Sequence, residues 1–326
     1  MLYLHGAGHY HPNNVIDNAY LESLNIDTTD EWILDRVGIK KRHTVMDLDD
    51  IKHHHNREIG QAKVNETSAE MGAKAIDMAL QRAGIDKSKV GMVLSATCAP
   101  AYSLPANASV IAAEAGIDAL AIDITSACSS FASHVHFLYH MNAEAMPEYV
   151  ICVIPESWTT TTDFSDRRTA VLIGDGAAAV VFSKKQPAGL RVMNTFMQSN
   201  PSGWDKVQTQ TGGHFYQDGL SVQKFAIKKT VATFRHLQEQ SPVALNDHYF
   251  ISHQANLTML KSVCRKLGIA DNKHLFNVDE YGNCGAAGAP SVLSQNWDLF
   301  KPGDWISLIV VGAGLTWGGM TLTVGA

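Results

Sequence analysis

Residues Ala170–Phe182 read AVLIGDGAAAVVF, and residues Ile306–Thr323 read ISLIVVGAGLTWGGMTLT. Each stretch is an apolar run, a G-x-G turn and a second apolar run. That pattern predicts a hairpin of two buried strands at both places. The two stretches lie near the ends of the two halves of a 326-residue chain. Two similar α/β halves, 1–183 and 184–326, packed on one another would account for the repetition. Such packing puts an active site at their junction.

Outward from these stretches, strand and helix patterns alternate. Leu2–Gly8 reads as a strand. Thr29–Val37 reads as a helix, with Thr29 as cap, Asp30 and Glu31 in the first turn, and Gly38 as stop. In Thr67–Ala83 the apolar residues Met71, Ala75, Met78 and Ala79 recur at helical spacing, and Gly84 ends the run. Val90–Ala96, Ala119–Ile124 and Tyr149–Ile154 are strand candidates; Ala106–Glu114 and Ser129–Glu144 are the helices between them. This alternation argues for α/β layers.

Composition narrows the class. Hydrophobic residues make up 45% and charged residues 18%, which fits a folded, core-rich chain and excludes wholesale disorder. A net charge of −6 argues against a broad nucleic-acid-binding surface. No run of about 18 apolar residues suggests a membrane span, and MLYLHGAGHYHP has no signal-peptide pattern. The five cysteines are widely spaced and form no CxxC, which suits a reducing cytoplasm. Met46–Lys63 is polar and carries His53-His54-His55, and it reads as a solvated surface excursion. Adjacent histidines do not share a face, so no metal is expected there.

Three residues stand where chemistry can be done. Cys128 lies in DITSACSSF (Asp123–Phe131), where a strand runs into small residues and a helix begins. Unpaired amides and the positive end of the helix dipole favour a thiolate there, although a buried core cysteine would look alike. His253 lies in ISHQAN (Ile251–Asn256), again between a strand and a helix starting near Asn256. Asn283 lies in YGNCGAAGAP (Tyr281–Pro290), where a plain helix cap is the alternative. Gly312-Ala313-Gly314 is either a hairpin turn or a turn whose amides face a reacting oxygen. Gly174-Asp175-Gly176 is no dinucleotide fingerprint, because a strand-like run rather than a helix follows it.

Six motifs in order, namely TTDEWILDRVGIKKR (Thr28–Arg42), DITSACSSF, DRRTAVLIGDGAAAVV (Asp166–Val181), ISHQAN, YGNCGAAGAP and GAGLTWG (Gly312–Gly318), resemble the β-ketoacyl-[acyl-carrier-protein] synthase III family of the thiolase superfamily. The resemblance implies a five-layered αβαβα sandwich of two similar halves, normally a homodimer. It implies that Cys128 takes an acyl group from acyl-CoA, and that His253 and Asn283 assist decarboxylation of a malonyl carrier protein. The amides of Cys128 and Ala313 would form the oxyanion hole. The product would be a β-ketoacyl carrier for fatty acid biosynthesis, with no metal and no resident cofactor. Thr28, Trp32, Arg36 and Arg167 would contact coenzyme A, with Trp32 and Arg167 on either side of adenine. A related acyltransferase, or a condensing enzyme of quinolone or polyketide pathways, would use the same three residues. A non-catalytic partner subunit would typically lack the nucleophile.

Two departures from the family pattern bear on specificity. Thr258 stands where arginine is usual on the carrier-docking surface, with Lys261, Arg265 and Lys266 on the same helix as substitutes. Leu104 stands where an aromatic often closes the acyl pocket across the dimer, which points to a medium-chain primer. Met46–Lys63 is an insertion relative to the family pattern.

Overall fold

The computed structural model describes residues 1–60 and 63–325. Ten strands form the main sheet: β1 (Leu2–Tyr10), β2 (Val90–Ser95), β3 (Leu120–Asp123), β4 (Tyr149–Glu156), β5 (Gly176–Ser183), β6 (Leu190–Ser199), β7 (Tyr249–Ser252), β8 (His274–Leu275), β9 (Trp305–Gly312) and β10 (Thr316–Val324). Six helices matter for the layers: α1 (Ser68–Ala83), α2 (Asn107–Glu114), α3 (Ser130–His140), α4 (Gly219–Glu239), α5 (Leu257–Leu267) and α6 (Gly288–Gln295).

The sheet order is β8-β7-β9-β10-β6-β1-β5-β4-β2-β3. Read outward from the middle, the first five strands run β1-β5-β4-β2-β3 and the second five run β6-β10-β9-β7-β8, the same order five labels later. Directions repeat too. The pairs β1/β5 and β5/β4 are antiparallel and β4/β2 and β2/β3 parallel, and their counterparts agree. Among the described residues the two sets of strands pair only through Leu2↔Val192, Tyr3↔Arg191 and Leu4↔Leu190.

Helices complete five layers. α1 covers β1, β4 and β5, and α2 covers β2 and β3. α4 covers β9 and β10 and packs on α5. Between the two sets of strands lie α3, against β4, β6, β9 and β10, and α6, against β1, β5 and β7. The middle layer is sealed by a core that includes Leu4, Phe131, Leu138, Val180, Val292 and Leu308. Capping fixes where the helices start. Thr67 and Glu70 form a reciprocal capping box on α1, and Gly84 ends it at φ 65°. A cap of this kind contributes about 1 kcal/mol.

Two expectations from sequence are corrected. Ile306–Thr323 is the expected hairpin, β9–β10, but Ala170–Phe182 is not one. Arg167–Ala170 is a short helix, a turn follows, and the strand begins only at Gly176, pairing with β4. Ala170, Val171 and Ile173 of the apolar run are buried by packing rather than by a sheet. The buried Arg42 guanidinium donates to the Val171 carbonyl, and the buried Asp175 carboxylate accepts from the Val45 and Thr159 amides. Those bonds hold the segment as a turn. Met46–Lys63 is likewise not simply solvated. It forms the helix Leu48–His54 with Met46 and Ile51 fully buried, and Asn56 Nδ2 donates to the carbonyls of Thr160 and Thr162 at 2.9 Å. Gln61 and Ala62 of that segment lie outside the described residues.

Candidate active site

Cys128 sits two residues before α3, at the ends of the parallel strands β2 and β3. The chain turns sharply there: Ala127 adopts φ 50°, Ser129 N donates to Ser126 O, and Ser130 N donates to Ala127 O. The side chain is 6% exposed and borders a cavity of about 590 Å³. His253, which directly follows β7, and Asn283, which directly precedes the turn into α6, border the same cavity, as do Gly312 and Ala313. The topology explains the convergence. Ends of parallel strands from both halves point to one junction, where binding crevices form in α/β sheets.

Each group is held by its backbone. His253 N donates to Ile309 O at 2.9 Å, which anchors it to β9. Asn283 N donates to Leu172 O at 2.8 Å, and its own carbonyl accepts from Gly174 N at 3.1 Å. Its carboxamide oxygen accepts from Gly285 N at 3.1 Å, a local turn rather than a helix cap, since Cys284 and Ala287 stand at the cap positions that follow; the NH2 group has no partner among the described residues. The buried His253 Nδ1 is unpaired there as well. The Gly312–Thr316 turn is stitched to the Cys128 turn, because Ser129 Oγ bonds Thr316 Oγ1 at 2.6 Å and Ser126 O at 2.7 Å. Contact is close enough that a Cβ on Gly312 would stand 2.7 Å from Ser129 N.

Electrostatics single out Cys128. A hydrogen bond with the Cys98 thiol holds its thiol well below the ordinary thiol range; burial opposes this, and the hydrogen-bonded His253 ring adds to the lowering. Cys98 is pushed the other way by that same bond, by burial and by the Glu156 carboxyl. Glu156 is fully buried and accepts from Cys98 N at 2.7 Å, Thr97 Oγ1 at 3.1 Å and Ala286 N at 3.0 Å. Burial pushes its carboxyl up to about 7, against the Cys98 amide.

At the outer part of the cavity lie Trp32 and Arg36. Arg36 and Arg167 both stand over the Trp32 ring, with Cζ 5.9 and 5.0 Å from its centroid. Arg168 rather than Arg167 borders the Cys128 cavity, paired with Asp166 at 2.9 Å. Thr28 is half-buried outside that lining, with its Oγ1 unpaired among the described residues. Leu104 is 85% exposed and borders neither the Cys128 cavity nor the second one, of about 550 Å³, that reaches Cys98. Sequence reasoning missed Cys98, Glu156, Arg168, Trp158 and Phe215. The last two meet edge to face at 4.6 Å against Cys128. A thiol three residues past a buried strand was the one available signal. Among the described residues no group of three His, Cys, Asp or Glu side chains is placed to hold a metal, and no helix is long and apolar enough to cross a membrane.

Comparison with known proteins gives the family. Residues 122–201 match the family model described as 3-oxoacyl-[acyl-carrier-protein (ACP)] synthase III, and residues 239–324 match its C-terminal counterpart. Proteins named β-ketoacyl-[acyl-carrier-protein] synthase III from Sulfurovum sp. (strain NBC37-1) and Ehrlichia canis (strain Jake) are each 31% identical to the chain. The alignments cover 95% and 96% of this chain and 92% and 96% of theirs. The crystal structure of 3-oxoacyl-[acyl-carrier-protein] synthase III from Aquifex aeolicus VF5 superposes with a TM-score of 0.89 at 29% identity, covering 99% of this chain and all of that one. With its thiolase-like fold, the chain belongs to the 3-oxoacyl-[acyl-carrier-protein] synthase III family of acyl-transferring condensing enzymes.

Proposed function

We propose that acyl-CoA acylates Cys128 and that the acyl group is then condensed with malonyl carrier protein. The observation that carries this is the meeting of Cys128, His253 and Asn283 in one cavity with Trp32 and Arg36 farther out. The Cys128 thiolate attacks the thioester carbonyl. The oxyanion is held by the amides of Cys128 and Ala313, and CoA leaves as a thiolate that takes up a proton. The malonyl group next loses CO2. Its enolate oxygen is held by hydrogen bonds from His253 and the Asn283 NH2, and the enolate carbon attacks the acyl carbon. The C–S bond to Cys128 breaks, and the β-ketoacyl carrier departs.

Several surfaces support the finer reading. The Trp32 face and the Arg36 and Arg167 guanidiniums suit an adenine nucleotide, with Thr28 beside them. Thr258, Lys261, Arg265 and Lys266 are all exposed on α5, and their spacing gives a basic face for an acidic carrier. A homodimer would be built on β3, an edge strand whose Leu120 is exposed. The Asp123 carboxylate at the end of β3 accepts from Asn107 N and Ala108 N at 2.7 and 2.8 Å, which ties the loop of exposed Tyr102 and Leu104 to that edge. Leu104 therefore acts on a second copy, where a flexible aliphatic wall favours a medium-chain primer. The two halves divide at 183/184, between β5 and β6.

Intact mass after incubation with a ladder of acyl-CoA lengths tests the reading. Acyl mass on Cys128, absent in Cys128→Ala, is the expected result, with CO2 release from malonyl carrier protein following. Acylation of another cysteine would overturn it.

A further inference from the structure

The mechanism uses one thiol, yet two meet at its centre. Cys98 follows β2 and Cys128 follows β3, and these strands pair in parallel with Ser95 opposite Asp123. Both chains leave the sheet at the same edge, and the Cys98 side chain packs against the cluster that holds Cys128. Both pack in one small apolar cluster with Ala99, Trp158 and Phe215. They are reached from different sides, Cys128 through the cavity of about 590 Å³ and Cys98 through that of about 550 Å³. The other three cysteines are buried and border neither cavity, and burial pushes each of their thiols up.

We propose that Cys98 and Cys128 form a modification site, at which a peroxide converts the pair to a reversible disulfide that blocks and protects the nucleophile. The steps balance. The Cys128 thiolate attacks one peroxide oxygen, so an S–O bond forms, the O–O bond breaks and hydroxide leaves. Cys98 sulfur then attacks Cys128 sulfur. The S–S bond forms, the S–O bond breaks, and the departing hydroxide takes the Cys98 proton as water. The peroxide gains two electrons and the two thiols lose two. Reactivity resides in Cys128, whose thiolate is favoured, while the protonated Cys98 is held in place by the hydrogen bond its backbone N–H donates to the Glu156 carboxyl. Without Cys98 the sulfenic acid on Cys128 would persist and oxidise further, irreversibly.

The test treats the parent protein with hydrogen peroxide, then alkylates, digests and maps it. A Cys98–Cys128 cross-linked peptide, an intact mass short by two hydrogens, and recovery of both thiols with dithiothreitol are expected. Cys98→Ser should instead carry two or three added oxygens on Cys128. It should recover at least about tenfold less acylation after reduction. The proposal is overturned if oxidised parent holds Cys128 as sulfinic or sulfonic acid beside a free Cys98, or if Cys98→Ser recovers as fully as the parent. The peptide map of the parent decides even where the variant does not fold. The inference borrows from the proposed function only the identity of the acylated thiol. A cross-link in a protein that acyl-CoA fails to acylate would sink that reading and leave this one standing.

Discussion

The β4–β5 and β9–β10 connections occupy equivalent places in the two halves, and their sequences rhyme, but their backbones differ. β9 ends at Gly312 and β10 begins at Thr316, a tight turn that borders the cavity beside Cys128. β4 ends at Glu156 and β5 begins at Gly176, and the long path between them carries Trp158 and Arg168 to the same cavity. The glycines differ in use as well. Gly312 lets one turn lie against Ser129 N, whereas Gly174 packs against the Tyr281 carbonyl and so supports the turn that holds Asn283. One turn borders the cavity directly, and the glycine of the other is spent on scaffolding. The rhyme reports burial of both stretches, not a shared hydrogen-bonding pattern.

The sharpest way to break this comparison is to remove the proposed reacting groups half by half. Cys128→Ala, in the first half, should abolish acylation by acyl-CoA, read by intact mass. His253→Ala and Asn283→Ala, in the second, should still acylate but lose malonyl decarboxylation by roughly 10²–10³-fold each, the cost of one oxyanion-type donor. Decarboxylation at the parent rate in both would end the assignment.

The turns themselves can be contrasted next. Ala313→Pro removes one amide at the first position of a short helical turn, where proline is tolerated. Its acylation rate should fall by roughly 10²-fold with little change in melting temperature. Asp175→Asn in the opposite turn should do the reverse. It takes an acceptor from the Val45 or Thr159 amide and costs roughly 1–3 kcal/mol of stability. A loss of rate without a loss of stability in Asp175→Asn would erase the distinction.

A pH series adds a signed effect. Burial raises the Asp175 carboxyl from 3.8 to about 6, so the folded chain holds this proton more tightly than the unfolded chain. The resulting stabilisation is full below pH 3.8 and is lost as pH rises through about 6. It amounts to about 3 kcal/mol. Melting temperature measured from pH 4 to pH 8 should therefore fall less steeply in Asp175→Asn than in the parent. Parallel curves would show that Asp175 does not titrate there.

Leu104→Phe should act on one quantity alone, the ratio of kcat/KM for octanoyl-CoA and acetyl-CoA. Each methylene accommodated contributes about 0.8 kcal/mol, and a phenyl wall would remove that gain. An unmoved ratio would dismiss Leu104 as a length determinant.

Local chemistry was legible in the sequence wherever one residue decides. Thr29 caps Asp30–Arg36, Thr67 caps α1 and Asn256 caps α5, as their side chains predict. That Cys128, His253 and Asn283 would share one cavity was legible because each stands where a strand gives way to a turn or helix. What stayed hidden depends on contacts between distant segments. Cys98 and Glu156 matter only because β2, β3 and β4 are neighbours. Phe215 lies in a short ribbon, Phe215–Gln217 with Val207–Thr209, in a stretch with no periodicity to mark it. The choice between Arg167 and Arg168 turns on which way a four-residue helix faces, which adjacent identical residues cannot reveal.

The two ends of the ten-stranded sheet carry a last consequence, for growth into larger assemblies. One end is β3, four residues long, and the other is β8, only two. A ladder of two residues offers too little backbone to template another chain, and short edges are a natural defence against open-ended polymerisation. Sheet extension can therefore proceed from one end only. A second copy that pairs edge to edge with β3 by a two-fold axis uses up that end on both molecules, and the assembly closes instead of propagating as a fibre.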